Sequence, residues 1–288
     1  MPEGDTIFRT ARTLNRAFAE KRVTFFETVL PKLDRVNIDR PIVGRTIERV
    51  AAEGKWLLIY FSGDLILLTH MLMSGSWHIY RPGEKWKRRR SDMRIVIGTD
   101  QLLAVAFQVP VAEFHSSVSL ARHPGFRSLG PSVLAEDFDE AAAVHQIAAQ
   151  PNLEIGEALV SQRLIAGLGN VFKSEVCFAC GVHPFRRVRT LSSEELLQLV
   201  KTARRFLAAN VTDNSSDGIV TYAGLRRTTG RTDREENLWV YRRAGEACRK
   251  CGSAILSRKQ GEGARTTFWC PLCQPGEPAV AYASQARS

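Results

Sequence analysis

Near the start of the chain apolar residues recur at spacings of four, three and four: Ile7, Ala11, Leu14 and Phe18, with Arg9, Arg12 and Arg16 on another face. This spacing predicts an amphipathic helix from Glu3 to about Glu20, beginning almost at the first residue. The pattern then changes to short β-rich runs: VTFFETVL from Val23, WLLIYF from Trp56, LILLT from Leu65, RIVIG from Arg94 and LLAVAF from Leu102. Turn residues such as Ser62-Gly63-Asp64 and Gly98-Thr99-Asp100 separate them, which predicts hairpins of a sandwich or flattened barrel. After GPSVLAEDFD, Gly130 to Asp139, the period becomes helical. Glu154–Ser161 and Val171–Ala179 read as two shorter helices around the turn Ala166-Gly167-Leu168-Gly169-Asn170. Ser192 and Glu195 fit a capping box that opens a longer helix to about Ala209, with Leu196, Leu199, Val200, Ala203 and Leu207 as its buried stripe. The fold class this predicts is α+β.

The change of period sets the expected organisation: a helix and β-rich domain over 1–129, a linker over 130–139, and a helical domain over 140–244. A cysteine-bearing hairpin follows over 245–274, then a tail, 275–288, with little to pack. Within the helical domain, 213–234 is dominated by polar residues, glycines and cations, and a loop of that length is functional or disordered.

Charge narrows the partners. Among the 288 residues, 40 Lys and Arg face 30 Asp and Glu, a net charge of +10. Such a surplus suits a polyanion, because each neutralised phosphate releases condensed counterions; a solubilising surface explains it equally well. The first twenty residues lack the continuous apolar segment of a secretory signal, and no stretch approaches the roughly 20 apolar residues that span a bilayer. A soluble, cytoplasmic protein is expected, with its cysteines free or metal-bound rather than paired as disulfides.

Cys248 and Cys251, then Cys270 and Cys273, form two C-x-x-C knuckles with eighteen residues between them. Four thiolates in this arrangement suit one tetrahedral zinc ion, closed to substrate and therefore structural. Cys177 and Cys180 make a third C-x-x-C, near the C-terminal end of a helix among apolar neighbours. A redox pair needs a lowered thiol pKa and a helix N-terminus favours that, so buried core cysteines are the reading here.

Leu164 through Asn170 places two glycines and an amide at a helix start, where backbone N–H groups can receive a phosphate or simply make a turn. The N-terminus carries different chemistry. Proline after Met1 favours removal of Met1 and leaves a secondary amine. A free α-amine titrates at roughly pH 7.7–8.0, and the positive end of the helix behind it lowers that value. Such an amine can attack C1′ of a deoxyribose and form an iminium, with Glu3 beside it as a proton shuttle. Many chains begin Met-Pro without this use. Lys55, in Gly54-Lys55-Trp56, is either a solvated lysine or a phosphate contact at a hairpin edge. Lys85 through Arg90 is a general basic patch.

Together these features resemble the formamidopyrimidine-DNA glycosylase and endonuclease VIII family. The matching pieces are Met1 through Asp5, Gly54-Lys55, His70 through Gly75, Leu164 through Asn170 with Glu175, and the hairpin ending Arg265-Thr-Thr-Phe-Trp-Cys270, in the family's order. The resemblance implies an N-terminal helix on a two-sheet β-sandwich, then a helix–two-turn–helix domain with a zinc-bound β-hairpin, with DNA in the cleft between the halves. It implies a monomeric, bacterial, nucleoid-associated glycosylase and lyase acting on damaged double-stranded DNA. Pro2 is then the Schiff-base nucleophile and Glu3 the acid at the deoxyribose ring oxygen. Lys55 joins them in the catalytic set, and Lys55, Asn170 and Arg265 grip phosphates. Lys173 and Glu175 fall in the DNA-binding segment, Glu175 with either a catalytic or a structural role. Leu72 and Met73 match the apolar wedge that fills the space of a flipped base, with core packing as the alternative.

The chain departs from the purine-lesion branch where that branch carries an acid-Pro-Arg-Arg-Phe-Gly stretch. Here the run is Phe107-Gln108-Val109-Pro110-Val111-Ala112-Glu113-Phe114, without arginine. The opening Pro-Glu-Gly-Asp-Thr and the Cys-Pro-Leu-Cys knuckle resemble the endonuclease VIII side, which implies oxidised pyrimidines as substrates and a lesion-covering role for Asp217–Arg234. Three alternatives stand beside this reading: a glycosylase for 8-oxoguanine and formamidopyrimidine lesions, a non-catalytic zinc-containing DNA-binding protein, and a thiol oxidoreductase built on Cys177 and Cys180.

Overall fold

Ile7, Ala11, Leu14 and Phe18, the stripe anticipated from spacing, are all buried on α1 (Gly4–Phe18). In the computed structural model, which describes residues 2–211, 227–229 and 236–276, this helix belongs to the first of two units, Met1–Phe138 with Leu207–Leu225. Its strands are β1 (Lys21–Arg22), β2 (Phe25–Thr28), β3 (Thr46–Glu53), β4 (Trp56–Phe61), β5 (Leu65–His70), β6 (Ser76–Tyr80), β7 (Met93–Gly98), β8 (Leu103–Phe107) and β9 (Val111–His115). They form a five-stranded sheet ordered β1-β3-β4-β5-β9 and a four-stranded sheet ordered β2-β7-β8-β6, with every pairing antiparallel.

The apolar runs are nearly continuous because both faces of these strands are covered. On β4, Leu57, Ile59 and Phe61 point into the core shared with α1 and the other sheet. Leu58, between them, packs with Ile66, Leu68 and Leu120 on the opposite face. Leu120 comes from α3 (Ser117–Arg122), which α4 (Pro124–Arg127) follows. Asn15 on α1 ties the helix to the sheet, its Oδ1 accepting from the Val50 amide at 2.7 Å.

Several elements were not expected from the pattern. α2 (Pro31–Asp39) buries only Leu33 and so carries almost no stripe. β3 contains a bulge between Ile47 and Arg49, which resets the alternation so that Ile47 and Val50 both face inward. The expected linker is not loose: Val133 is fully buried, and the Ser132 hydroxyl accepts from the Gly54 amide at 3.4 Å. The division between units falls at Phe138/Asp139, and Leu207–Leu225 returns to the first unit, where Arg12 Nη2 donates to the Val211 carbonyl at 3.2 Å.

The second unit, Asp139–Phe206 with Arg226–Ser288, opens with α5 (Glu140–Ala148). Asp139 caps it by accepting from the Ala141 and Ala142 amides. Next come α6 (Ile155–Val160), α7 (Asn170–Ala179) and α8 (Ser193–Ala209), which extends past the unit boundary. The capping box of α8 is formed in both directions: Ser192 N to Glu195 Oε2 at 2.8 Å, and Glu195 N to Ser192 Oγ at 3.2 Å. β10 (Leu256–Gln260) and β11 (Arg265–Trp269) make an antiparallel hairpin in which Gln260 pairs with Arg265. A buried polar chain fixes that hairpin to the helices. Gln260 Nε2 donates to Glu154 and to the Pro184 carbonyl, each at 2.9 Å, and Gln260 Oε1 accepts from Thr267 Oγ1 at 2.7 Å. Among the described residues no helix is long and apolar enough to cross a membrane.

Candidate active site

In the first unit, Pro2 lies two residues before α1 and lines a cleft of about 290 Å³ together with Thr6, Met73, Trp77, Arg88 and Gln108. Glu3 is the N-cap of α1, fully buried, and its carbonyl accepts from Thr6 N at 2.9 Å and Ile7 N at 3.1 Å. The positive end of a fifteen-residue helix therefore faces the backbone at Pro2.

Lys55 sits in the β3–β4 turn, made possible by Gly54 at φ +57°, and is itself buried. Its charge is felt by His70, whose pKa is lowered to about 4, first by burial and then by Lys55. His70 is neutral at physiological pH, so its Nδ1 can accept from the Leu72 amide at 3.1 Å. That bond starts a tight loop closed by Gly75 N donating to the Met71 carbonyl at 2.8 Å. A Cβ at Gly75 would stand 2.6 Å from that carbonyl oxygen, so the closure requires glycine. Met71 is buried, while Leu72 (φ +46°, 46% exposed) and Met73 (70% exposed) project outward. Of the two readings weighed for this pair, the geometry supports a projecting apolar pair over core packing.

Arg88 was not singled out from sequence within the basic run. It reaches the same cleft, where its Nη1 donates to Gln108 Oε1 at 3.3 Å, and Gln108 Nε2 donates to Asp92 Oδ1 at 3.0 Å. The run that lacks an arginine thus receives a guanidinium from the β6–β7 connection.

In the second unit, Asn170 is the first residue of α7. Its Nδ2 donates to the Thr266 carbonyl at 2.8 Å, and its buried Oδ1 has no hydrogen-bond partner among the described residues. Arg265, exposed, is the neighbour of Thr266 at the start of β11. The N-terminus of α7 and the cation of the hairpin are therefore joined by one side chain.

Lys173 and Glu175, expected in the DNA-binding set, are both buried within the second unit. Lys173 is 1% exposed and its Nζ donates to Thr267 Oγ1 at 2.6 Å. Glu175 is fully buried; its carboxylate accepts from Trp239 N at 2.8 Å, from Val240 N and Tyr241 N at 2.9 Å, and from the Thr228 hydroxyl. Of the two roles open for Glu175, these bonds favour the structural one, because the carboxylate collects the 239–241 backbone. A Glu175→Gln carboxamide turns an NH₂ toward those donors, so it is expected to destabilise the chain by about 2–4 kcal/mol in urea unfolding. Loss of activity with unchanged stability would instead point to a role in chemistry.

The Sγ atoms of Cys248, Cys251, Cys270 and Cys273 lie within 4.8 Å of one another, at 3.9 Å for Cys248–Cys273 and 3.4 Å for Cys251–Cys270. Metal–sulfur bonds of about 2.3 Å in a tetrahedron imply edges of about 3.8 Å, so these four donors fit a single ion. Lys250 N and Cys273 N each donate to a cluster sulfur at 3.4 Å, which stabilises thiolates. Cys177, by contrast, is fully buried and its thiol is pushed up to about 12, chiefly by burial; burial also raises Cys180. Both shifts run opposite to the lowered thiol pKa that a redox pair needs, which weakens the oxidoreductase reading. Of the 213–234 loop only 227–229 fall among the described residues, so its proposed cover over a lesion, like the 277–288 part of the tail, lies outside them.

Family models match the chain over residues 1–108, as the formamidopyrimidine-DNA glycosylase N-terminal domain, and over 129–220, as the formamidopyrimidine-DNA glycosylase H2TH domain. A probable endonuclease 8 2 of Streptomyces coelicolor is 37% identical, over 96% of this chain and 95% of that one. The DNA-(apurinic or apyrimidinic site) lyase Nei2 of Mycolicibacterium smegmatis is 34% identical, over 95% and 99% respectively. Among solved structures, Lactococcus lactis Fpg in complex with DNA containing an abasic site superposes with a TM-score of 0.79 at 21% identity, covering 96% of this chain and all of that one.

Proposed function

The chain belongs to the formamidopyrimidine-DNA glycosylase and endonuclease 8 family, and from that premise we propose that it is a bifunctional DNA glycosylase and abasic-site lyase of base excision repair, directed mainly at oxidised pyrimidines. The observation that supports this reading most is Pro2 at the head of α1, in one cleft with the projecting Met73. The enzyme acts as a cytoplasmic, nucleoid-associated monomer on damaged duplex DNA.

The chemistry follows from these positions. The lesion leaves the stack at a cost of a few kcal/mol, less for a damaged pair. The lone pair of the Pro2 nitrogen attacks C1′ while the bond from C1′ to the base breaks, and the base departs with the proton that the Pro2 nitrogen gives up. Glu3 protonates the deoxyribose ring oxygen; the ring opens and an iminium forms between Pro2 and C1′. The iminium acidifies C2′. Loss of a C2′ proton expels the 3′ phosphate, and a second elimination expels the 5′ phosphate, leaving a one-nucleotide gap with phosphate ends. Lys55 in the first unit and Asn170 and Arg265 in the second each contact phosphate, the exposed Arg265 as a fork donor. The four thiolates would hold one structural zinc ion, which would brace the hairpin that presents Arg265.

Leu72 and Met73 fill the vacated stack. Because Met73 is 70% exposed, Met73→Ala is expected to change stability by less than about 0.5 kcal/mol while slowing base removal from duplex DNA roughly tenfold or more. Equal slowing on single-stranded DNA, where no stack needs filling, would argue against a wedge.

The run Phe107 through Phe114 carries no arginine of its own, which supports pyrimidine lesions as the substrates. A panel of duplexes carrying thymine glycol, 5-hydroxyuracil, 8-oxoguanine opposite cytosine, or an abasic site tests this. The pyrimidine lesions and the abasic site are expected to be cut at least about tenfold faster than 8-oxoguanine, about the discrimination that one pocket contact supplies. Faster release of 8-oxoguanine opposite cytosine would reverse the assignment.

A further inference from the structure

A second cluster of metal-ligating side chains stands in the first unit, apart from the cysteines: Glu113, His115 and His123. Glu113 and His115 are two residues apart on β9, so both project from the same face of the sheet's edge strand. Helix α3 then turns the chain back and sets His123 between α3 and α4. One carboxylate oxygen of Glu113 lies 3.1 Å from His115 Nε2 and 3.6 Å from His123 Nε2.

We propose that Glu113 Oε2, His115 Nε2 and His123 Nε2 form a second metal site, which takes one borderline divalent transition ion such as Zn²⁺ in addition to the ion of the cysteine cluster. Bonds of about 2.0–2.1 Å from a tetrahedral ion to nitrogen and oxygen imply ligand separations of about 3.3 Å, between the two observed. The longer separation is outside hydrogen-bond range, so hydrogen bonding alone does not account for the convergence of both rings on one oxygen. Both rings are preoriented. His115 Nδ1 is 3.1 Å from the Ser119 hydroxyl, the kind of outer partner that fixes a ligand imidazole. The His123 ring is set by packing against the edge of Trp56, with centroids 5.3 Å apart at 83°. The two imidazole side chains are 15% and 17% exposed and the carboxylate 42%, so an ion can enter from solvent on the Glu113 side. Two imidazoles and a carboxylate are a mixed nitrogen and oxygen set, suited to Zn²⁺, Co²⁺ or Ni²⁺ rather than to Mg²⁺. Three protein ligands leave one position for water. Binding would pin the edge strand β9 to α3, independently of the repair chemistry.

Untagged full-length protein, first loaded with one zinc per chain, is titrated with Co²⁺ and followed by metal analysis and visible absorption. The expected result is one further Co²⁺ per chain, with weak visible bands and none of the intense near-ultraviolet absorption of a cobalt thiolate. Glu113→Gln keeps the shape and hydrogen bonding of the cluster but removes the anionic ligand; together with His123→Ala it is expected to weaken the second ion at least about tenfold, with cysteine-bound zinc unchanged. No second ion, a second ion bound equally by both variants, or cobalt appearing only with thiolate absorption would overturn the proposal.

Discussion

A chain that keeps even one residue ahead of Pro2 is expected to lose cleavage at abasic sites by about 1,000-fold or more, the scale on which loss of a nucleophile is felt. The cause is electronic. Acylated proline nitrogen is an amide whose lone pair is delocalised, and it cannot form an iminium. The effect should spare binding, because the phosphate contacts assigned to Lys55, Asn170 and Arg265 do not involve that nitrogen. Anisotropy with duplex DNA carrying a stable abasic analogue should show affinity within a few-fold of the processed enzyme. A blocked chain that still cuts abasic DNA at the normal rate would remove Pro2 from the mechanism.

Removal of the zinc ion proposed for the cysteine cluster should have the second largest effect. The cysteine cluster is packed with Phe178, Val240, Ile255 and Phe268, and Cys270 is fully buried among them. A structural zinc ion supplies about 10–16 kcal/mol in small zinc domains, far more than so small a hydrophobic cluster can replace. Cys270→Ser, or chelation, should therefore unfold the hairpin and release both Arg265 and the Thr266 carbonyl that Asn170 holds. DNA affinity is expected to fall about 100-fold or more, equivalent to roughly two strong charge-assisted contacts. The β-sandwich of the first unit should keep its near-ultraviolet circular dichroism from Trp77, buried in its core. Unchanged DNA affinity after complete loss of the metal would contradict the role assigned to the hairpin.

Particular residues show what could be read from the sequence and what could not. The α1 stripe, the two cysteine knuckles and the capping box of α8 are local patterns with fixed spacing, and each has its counterpart in the structure. β3 escaped because its bulge breaks the alternation, and α2 because one buried leucine makes no stripe. Arg88 and Gln108 meet across twenty positions through a turn, and no local pattern encodes that contact. Glu175 has the same limit in sharper form: its four donors lie more than fifty residues away, so the sequence could mark the glutamate but not distinguish a structural anchor from a catalytic acid. Gly75 belongs to the His70–Gly75 segment, yet its necessity comes from the 2.6 Å approach to the Met71 carbonyl, a contact that exists only in the folded loop.

The most direct test of the account is borohydride trapping on abasic-site DNA followed by peptide mapping of the adduct. Reduction of the iminium should fix the DNA to the protein in one-to-one yield with the Met1-processed chain, and the deoxyribose fragment should be found on the nitrogen of Pro2. An adduct carried by a lysine such as Lys55, or no adduct from processed protein that binds the DNA, would contradict it.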